Sequence, residues 1–310
     1  MAKVTGEALD MAIEQADQPT FKDYVTLAKM GIVRANLITV FAGYVVAASY
    51  ITDDVLLYLW QTKWMLLWTL LGSGLVIAGS CYLNNYIDRD IDYKMERTMG
   101  RPSVTGKMDG QRILALGLGI LATGTVLLLI VNHVAAVFGL IGSFVYVVIY
   151  TMWLKRTHTI NTVVGGISGA VPPIIGFAAV TPTLHIDAWI LFLIMFVWQP
   201  PHFLALAMRR TEEYRAAGIP MLPVVNGFAI TKRQIVWWIA VLIPSSLLLA
   251  HYGIIYMIVM ALLGGYWLYM GLKGLKIQDE QAEIKWASKM FFFSLFYFTA
   301  WIVTVVLVSL

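Results

Sequence analysis

Apolar runs without one Asp, Glu, Lys or Arg recur along this chain, separated by short polar stretches. Most approach the ~20 residues that an α-helix needs to cross the hydrocarbon of a bilayer. The pattern predicts nine spans, at 35–52, 64–87, 113–132, 134–154, 159–184, 188–208, 234–250, 253–272 and 290–310. The polar stretches between them reach only about 25 residues, too few to bury a core of their own. The predicted fold class is an all-α membrane protein with nine transmembrane helices. Residues 31–310 are expected to form that domain, behind a cytoplasmic N-terminal segment, residues 1–30. That segment mixes charges and has no early apolar region, so it does not read as a signal peptide.

Lys and Arg orient the spans. With nine of them, 21 of the 22 basic residues fall on one side and Lys63 alone on the other. Basic loops stay cytoplasmic, which predicts the N-terminus inside, the C-terminus outside and a multi-pass protein of the cell membrane. Adding or removing one span would scatter the basic residues over both faces. The net charge of +4 then reflects topology rather than nucleic-acid binding, and no nucleic-acid motif is present. Composition agrees: 13% of residues are charged, against about 25% in soluble domains. The single Cys81 excludes an intrachain disulfide and reads as a small core residue. His133, His185 and His251 fall on the far face and are expected at its surface. The longer loops and nearly all the charge lie on the cytoplasmic face, where function is expected.

The second span ends in polar chemistry. Asn84, Asp88 and Asp92 follow one another at intervals of four, a spacing that keeps them on one helix face over about 12 Å. Carboxylates in hydrocarbon cost about 2.5–3.5 kcal/mol each, so aligned ones call for a use. The simplest is to hold a hard divalent cation, which prefers oxygen ligands. Arg97 and Arg101 follow at once, in a loop with Gly100 and Pro102. Metal and guanidinium together suit a diphosphate. Asp90 points about 200° from Asp88 and should stand outside the cluster. The bland alternative is a solvated helix end.

Two further clusters fall on the same membrane face. One reads Trp198, Gln199, Pro200, Pro201, His202, Phe203, with Arg209 and Arg210 beyond. A proline pair inside a span frees backbone carbonyls, which is tolerated beside a cavity. His202 is a candidate base or iron ligand, or an interfacial histidine with an ordinary hydrogen bond. The other is Tyr150, Thr151, Trp153, Lys155 and Arg156. Its cations either anchor a helix end or reach a bound diphosphate. Gly165, Gly166, Gly169 and Gly176 in the fifth span favour close helix approach, with room for a flat ligand as the other reading.

The run Asn84-x-x-x-Asp88-x-x-x-Asp92, with Arg97-Thr98-x-x-Arg101-Pro102, resembles the first signature of the UbiA-type intramembrane prenyltransferases. Tyr150-Thr151-x-Trp153-Leu154-Lys155-Arg156, Gly169-Ala170-x-Pro172-Pro173, Trp198-Gln199-x-Pro201-His202-Phe203 and Ala217-Gly218-Ile219-Pro220-Met221-Leu222-Pro223 narrow the likeness to the haem-farnesylating branch. It covers roughly residues 25 to 310. The resemblance implies a nine-helix bundle around a cavity open toward lipid and capped on the cytoplasmic side. It implies Mg²⁺ at Asn84, Asp88 and Asp92, and a diphosphate held by Arg97, Arg101, Lys155, Arg156, Arg209 and Arg210. Trp198, Gln199, His202 and Tyr150 are the implied haem contacts, with His202 also a catalytic candidate. The implied substrates are farnesyl diphosphate and haem B. Water would add to the modified vinyl group, giving haem O for terminal oxidases, and a haem-oxidising enzyme acting next is a candidate partner. The superfamily's second Asp-rich motif is absent: the corresponding region offers His202, Arg209, Arg210, Glu212 and Glu213.

Other classes fit less well. A transporter would place ionisable groups near the bilayer midplane, where these spans have none. A prenyltransferase for a quinone precursor or chlorophyll leaves the His202 region unused. A purely structural assembly factor leaves the aligned carboxylates unexplained.

Overall fold

The structure is a computed structural model that describes residues 18–310, so residues 1–17 of the expected N-terminal segment lie outside it. The described residues form helices joined by short links, with no strand among them. A short helix, α1 (Phe21–Ala28), precedes α2 (Met30–Ala48), α3 (Val55–Gln61), α4 (Lys63–Asp92) and α5 (Gly110–Val131). Next come α6 (His133–Thr157), α7 (Asn161–Val180), α8 (Ile186–Arg209) and the short α9 (Thr211–Ala216). The chain ends with α10 (Leu222–Leu247), α11 (Ile254–Gly274) and α12 (Glu280–Ser309).

Eight of these helices are long and apolar enough to cross a membrane: α2, α4, α5, α6, α7, α8, α11 and α12. The predicted span at 234–250 falls in α10, which is not among the eight. α10 starts well before that span and carries Lys232 and Arg233 in its first half. Its path also breaks at Gly227 (φ 75°) and contains Pro244. After Arg233 only residues 234–247 remain helical, about 21 Å at 1.5 Å per residue. Lys232 is buried and pairs with Glu283 of α12 at 2.6 Å, and it also donates to the Ile277 carbonyl at 2.5 Å. A buried charge persists where it is paired in this way.

Side-chain oxygens cap several helices by taking N–H groups of the first turn. Asp54 starts α3, Asp109 starts α5, Asn132 starts α6 and Asp279 starts α12. α8 runs through the bundle and is buried along most of its length, against α7, α10 and α12. Pro200 and Pro201 lie inside it without ending it. α7, by contrast, is interrupted at Val171, ahead of Pro172 and Pro173. Its glycines serve close packing. A Cβ on Gly176 would stand 1.8 Å from the Val40 carbonyl oxygen of α2, and one on Gly43 of α2 would stand 2.0 Å from that of Pro173. The two backbones therefore touch, as small residues permit in membrane bundles.

The two ends of the bundle differ. At one end, the last turn of α4 and the segment after it pack against the residues around α9, with Ile91 and Met95 meeting Ala207, Ala217, Ile219 and Met221. Thr98 donates to the Asp92 carbonyl at 2.7 Å and secures the first turn of that cover. At the other end, Asp187 is fully buried at the start of α8. Its Oδ2 accepts from the Tyr50 hydroxyl at 2.7 Å and the Tyr252 hydroxyl at 2.8 Å, and lies 3.0 Å from His251 Nε2. His185 stacks on Tyr50 at 4.7 Å. His185 and His251 are exposed, as expected, yet His251 contacts the buried Asp187 and His185 stacks on its partner Tyr50.

Candidate active site

A cavity of about 870 Å³ opens into the bundle, bounded by α2, α4, α6, α7, α8 and α12. Its size lies toward the upper end of ligand sites, about 300–1,000 Å³. Asn84, Asp88 and Asp92 all line it, and all are buried. α4 runs unbroken through Asp92, so the four-residue spacing becomes one face, as the sequence predicts.

Cations surround that face. Lys155 Nζ is 2.5 Å from Asp88 Oδ2, and Arg156 lies 3.7 Å from its Oδ1. Arg101 donates to Asp92 Oδ2 at 2.5 Å. Asn84 links the carboxylate to its surroundings: its amide donates to Asp88 Oδ2 at 2.8 Å and to the Thr151 hydroxyl at 2.9 Å. The Asn84 oxygen accepts from Lys29. Lys29 joins α1 to α2 in a left-handed conformation (φ 51°), which costs a non-glycine residue about 1–3 kcal/mol. Burial pushes its ammonium pKa down to about 8.

The π-helical stretch of α6, Val145–Leu154, faces this cluster. Thr151 donates to the carbonyl of Tyr146, five residues back, at 2.8 Å. Tyr146 and Tyr150 stack at 5.9 Å and both line the cavity. Such stretches are rare and gather at functional sites.

Another part of the lining comes from α8. Trp198, Gln199 and His202 are buried and line the cavity. Gln199 donates to the Gly166 carbonyl at 2.8 Å. A Cβ on Gly169 would meet the Gln199 side chain at 2.5 Å, so this glycine, which also lines the cavity, makes room for Gln199. His202 lies between the Trp198 and Phe291 rings, each 4.7 Å away.

The remaining expected residues divide. Arg97, Arg101, Lys155 and Arg210 line the cavity. Arg97 is 4.0 Å and Arg210 2.5 Å from Glu213. Arg156 and Arg209 do not line it. Arg156 binds Asp90 at 2.6 Å and the Ile87 carbonyl at 2.9 Å. Arg209 lies over Phe291 and Phe292 at 4.8 and 5.3 Å. Asp90 is largely exposed, off the shared face as expected. Sequence reasoning missed Lys29, Tyr146 and Tyr214, which also line the cavity. Of these, Lys29 alone is charged, and it stands a few residues ahead of the first predicted span.

The site fits a hard divalent cation. Asp88 Oδ1 is buried without a hydrogen-bond partner, and the ligand atoms that Asn84, Asp88 and Asp92 can offer are oxygens. Among the described residues no three His, Cys, Asp or Glu converge on a metal position. A cation here would complete its shell from a diphosphate and water, as Mg²⁺ commonly does.

The helical bundle agrees with the fold of known proteins. The chain belongs to the UbiA prenyltransferase family, which matches residues 36–296, and it is an intramembrane prenyltransferase. It is 96% identical over 310 residues, the whole of both chains, to the protoheme IX farnesyltransferase of Exiguobacterium sibiricum. It is 54% identical to the protein of that name from Alkalihalophilus pseudofirmus, over 96% of this chain and 94% of that one. Among solved structures, one from work on digeranylgeranylglyceryl phosphate synthase in membranes has a TM-score of 0.73 and 20% identity, covering 92% of this chain and 98% of the other. A UbiA homolog from Archaeoglobus fulgidus bound to GPP and Mg²⁺ has a TM-score of 0.60 and 13% identity, covering 92% and 99%. At such identities the structures establish the fold.

Proposed function

We propose that this protein transfers the farnesyl group of farnesyl diphosphate to a vinyl carbon of protohaem IX, with addition of water, to give haem O. The observation that carries this reading is a single cavity with two unlike walls. One wall holds buried Asp88 and Asp92 among Lys29, Arg101 and Lys155; the other holds Trp198, Gln199 and His202. The shared name of the close relatives supports both substrates.

Arg101 and Lys155 are paired to carboxylates at 2.5 Å, so the charge that would meet a diphosphate is already in place. Held by Asp88 and Asp92, Mg²⁺ would supply further positive charge to the departing diphosphate. Lys29 and Arg210 extend the cationic rim. Their task is to stabilise the leaving group as the C1–oxygen bond breaks and positive charge develops on the allylic carbon. Deeper in the cavity Val76, Ile77, Val171, Ile175 and Met195 give apolar walls. They suit an isoprenoid tail and keep water from the cation until the vinyl carbon has attacked. The farnesylated carbon skeleton then carries the cation, which water quenches with loss of a proton.

Mass spectrometry of haems from cells with and without the protein tests this. A gain of one farnesyl group plus water on protohaem is expected; an unchanged haem, or the same gain without the protein, would refute it. Chelation should abolish turnover by the purified enzyme and added Mg²⁺ should restore it. Full activity in metal-free buffer would remove the cation from the scheme.

A further inference from the structure

His202 has two ring nitrogens, and the hydrogen-bond network around it bears on which carries the proton. Nδ1 lies 2.7 Å from the Ser294 hydroxyl oxygen. That hydroxyl has one proton, and it is directed to the Phe291 carbonyl at 2.5 Å within α12. In that arrangement Ser294 accepts from His202, which assigns the proton to Nδ1. In a neutral imidazole, Nε2 then keeps a free lone pair. The neutral form suits the setting, because the ring's neighbours Trp198, Phe203, Phe291 and Ser294 include no carboxylate and an unpaired buried charge is costly.

The same serine also fixes the neighbouring ring. Its carbonyl accepts from Trp198 Nε1 at 2.9 Å. Ser294 is itself fully buried. One residue of α12 thus holds both the indole and the imidazole that line the cavity. Two stacked rings prevent the imidazole from turning, with interplanar angles of 19° to Trp198 and 27° to Phe291. Nε2 makes no hydrogen bond among the described residues, while its side chain lines the cavity.

We infer that Ser294 is a positioning residue that holds His202 as the Nδ1–H tautomer, so that Nε2 offers its lone pair to the iron of a bound haem. This rests on the proposed function, which makes haem the acceptor. An acceptor on the far nitrogen orients an imidazole ligand and raises its basicity. An iron held at Nε2 would fix the porphyrin plane, and hence its vinyl groups, relative to the diphosphate wall.

The test is resonance Raman spectroscopy of the purified full-length protein with ferrous haem. The native protein should show an iron–imidazole stretching band, and His202→Ala should lack it. Ser294→Ala should keep the band at lower frequency, because the imidazole loses its hydrogen-bond acceptor, and should bind haem about tenfold more weakly. Ser294→Thr, which keeps the hydroxyl, should restore both, and an Ala-like frequency in a haem-binding Thr variant would count against the inference. A native frequency in Ser294→Ala, or haem bound by the native protein with no such band, would overturn it while leaving the proposed function standing. Failure of the native protein to bind haem at all would overturn both.

Discussion

Lys29 shows how much one side chain can add to a site built mostly by another helix. It contacts Asn84 from the junction of α1 and α2 and places a third cation beside those of Arg101 and Lys155. Lys29→Met should raise the KM for the diphosphate substrate about tenfold, the loss of roughly one charge-assisted contact, with a smaller change in kcat. Steady-state kinetics with haem saturating would measure it, and an unchanged KM would remove Lys29 from the diphosphate site. Asp88→Ala and Asp92→Ala should each reduce turnover by at least about 100-fold. Asp90→Ala should be mild, since Asp90 meets Arg156 on the exposed side. Equal losses at all three positions would refute the shared-face argument. The carboxylate face was legible because helical spacing alone aligns i, i+4 and i+8. Ser294 was not, since a serine among phenylalanines carries no mark until α12 is laid against α8.

Among the elements, α2 and α7 depend on two glycines with nothing between them. Gly176→Leu should destabilise the protein by at least about 1–3 kcal/mol through overpacking, because its Cβ would stand 1.8 Å from a backbone oxygen that cannot move alone. A thermal melt in detergent, set beside Gly265→Leu on α11 where no atom lies within 4 Å, would measure it. Equal melting temperatures would show that the two helices separate easily. The sequence favoured close approach for these glycines, and that reading holds at Gly176, whereas Gly169 packs on Gln199 and also lines the cavity. Eight of the predicted spans were legible from their lack of charge. α10 resisted because its chain turns helical at Leu222, well ahead of the apolar run, and takes Lys232 with it. That inclusion is compensated by Glu283 and the Ile277 carbonyl, each more than 40 residues away and invisible to a local pattern.

For the whole molecule, α10 decides the topology. If it crosses the bilayer, the count is odd and the termini face opposite sides; otherwise they share one. The basic residues favour an odd count, with the N-terminus in the cytoplasm. Reporter fusions at the C-terminus should therefore be active outside the cytoplasm. Activity confined to the cytoplasm would mean an even count and would end the grouping of 21 basic residues on one face.

The helix that carries His202 is fastened at both extremities. Near one, Ser294 takes hydrogen bonds from two of its aromatic side chains. At the other, Asp187 is gripped by residues from the α2–α3 and α10–α11 links. A rod held this way can neither slide along its axis nor roll about it. α8 then behaves as a fixed keel for the bundle. Whatever yields to admit two bulky molecules and release a bulkier one must lie around it, in the covers after α4 and beside α9 or in the facing wall of α2. Hydrogen exchange should find amides in those parts opening well before those of α8.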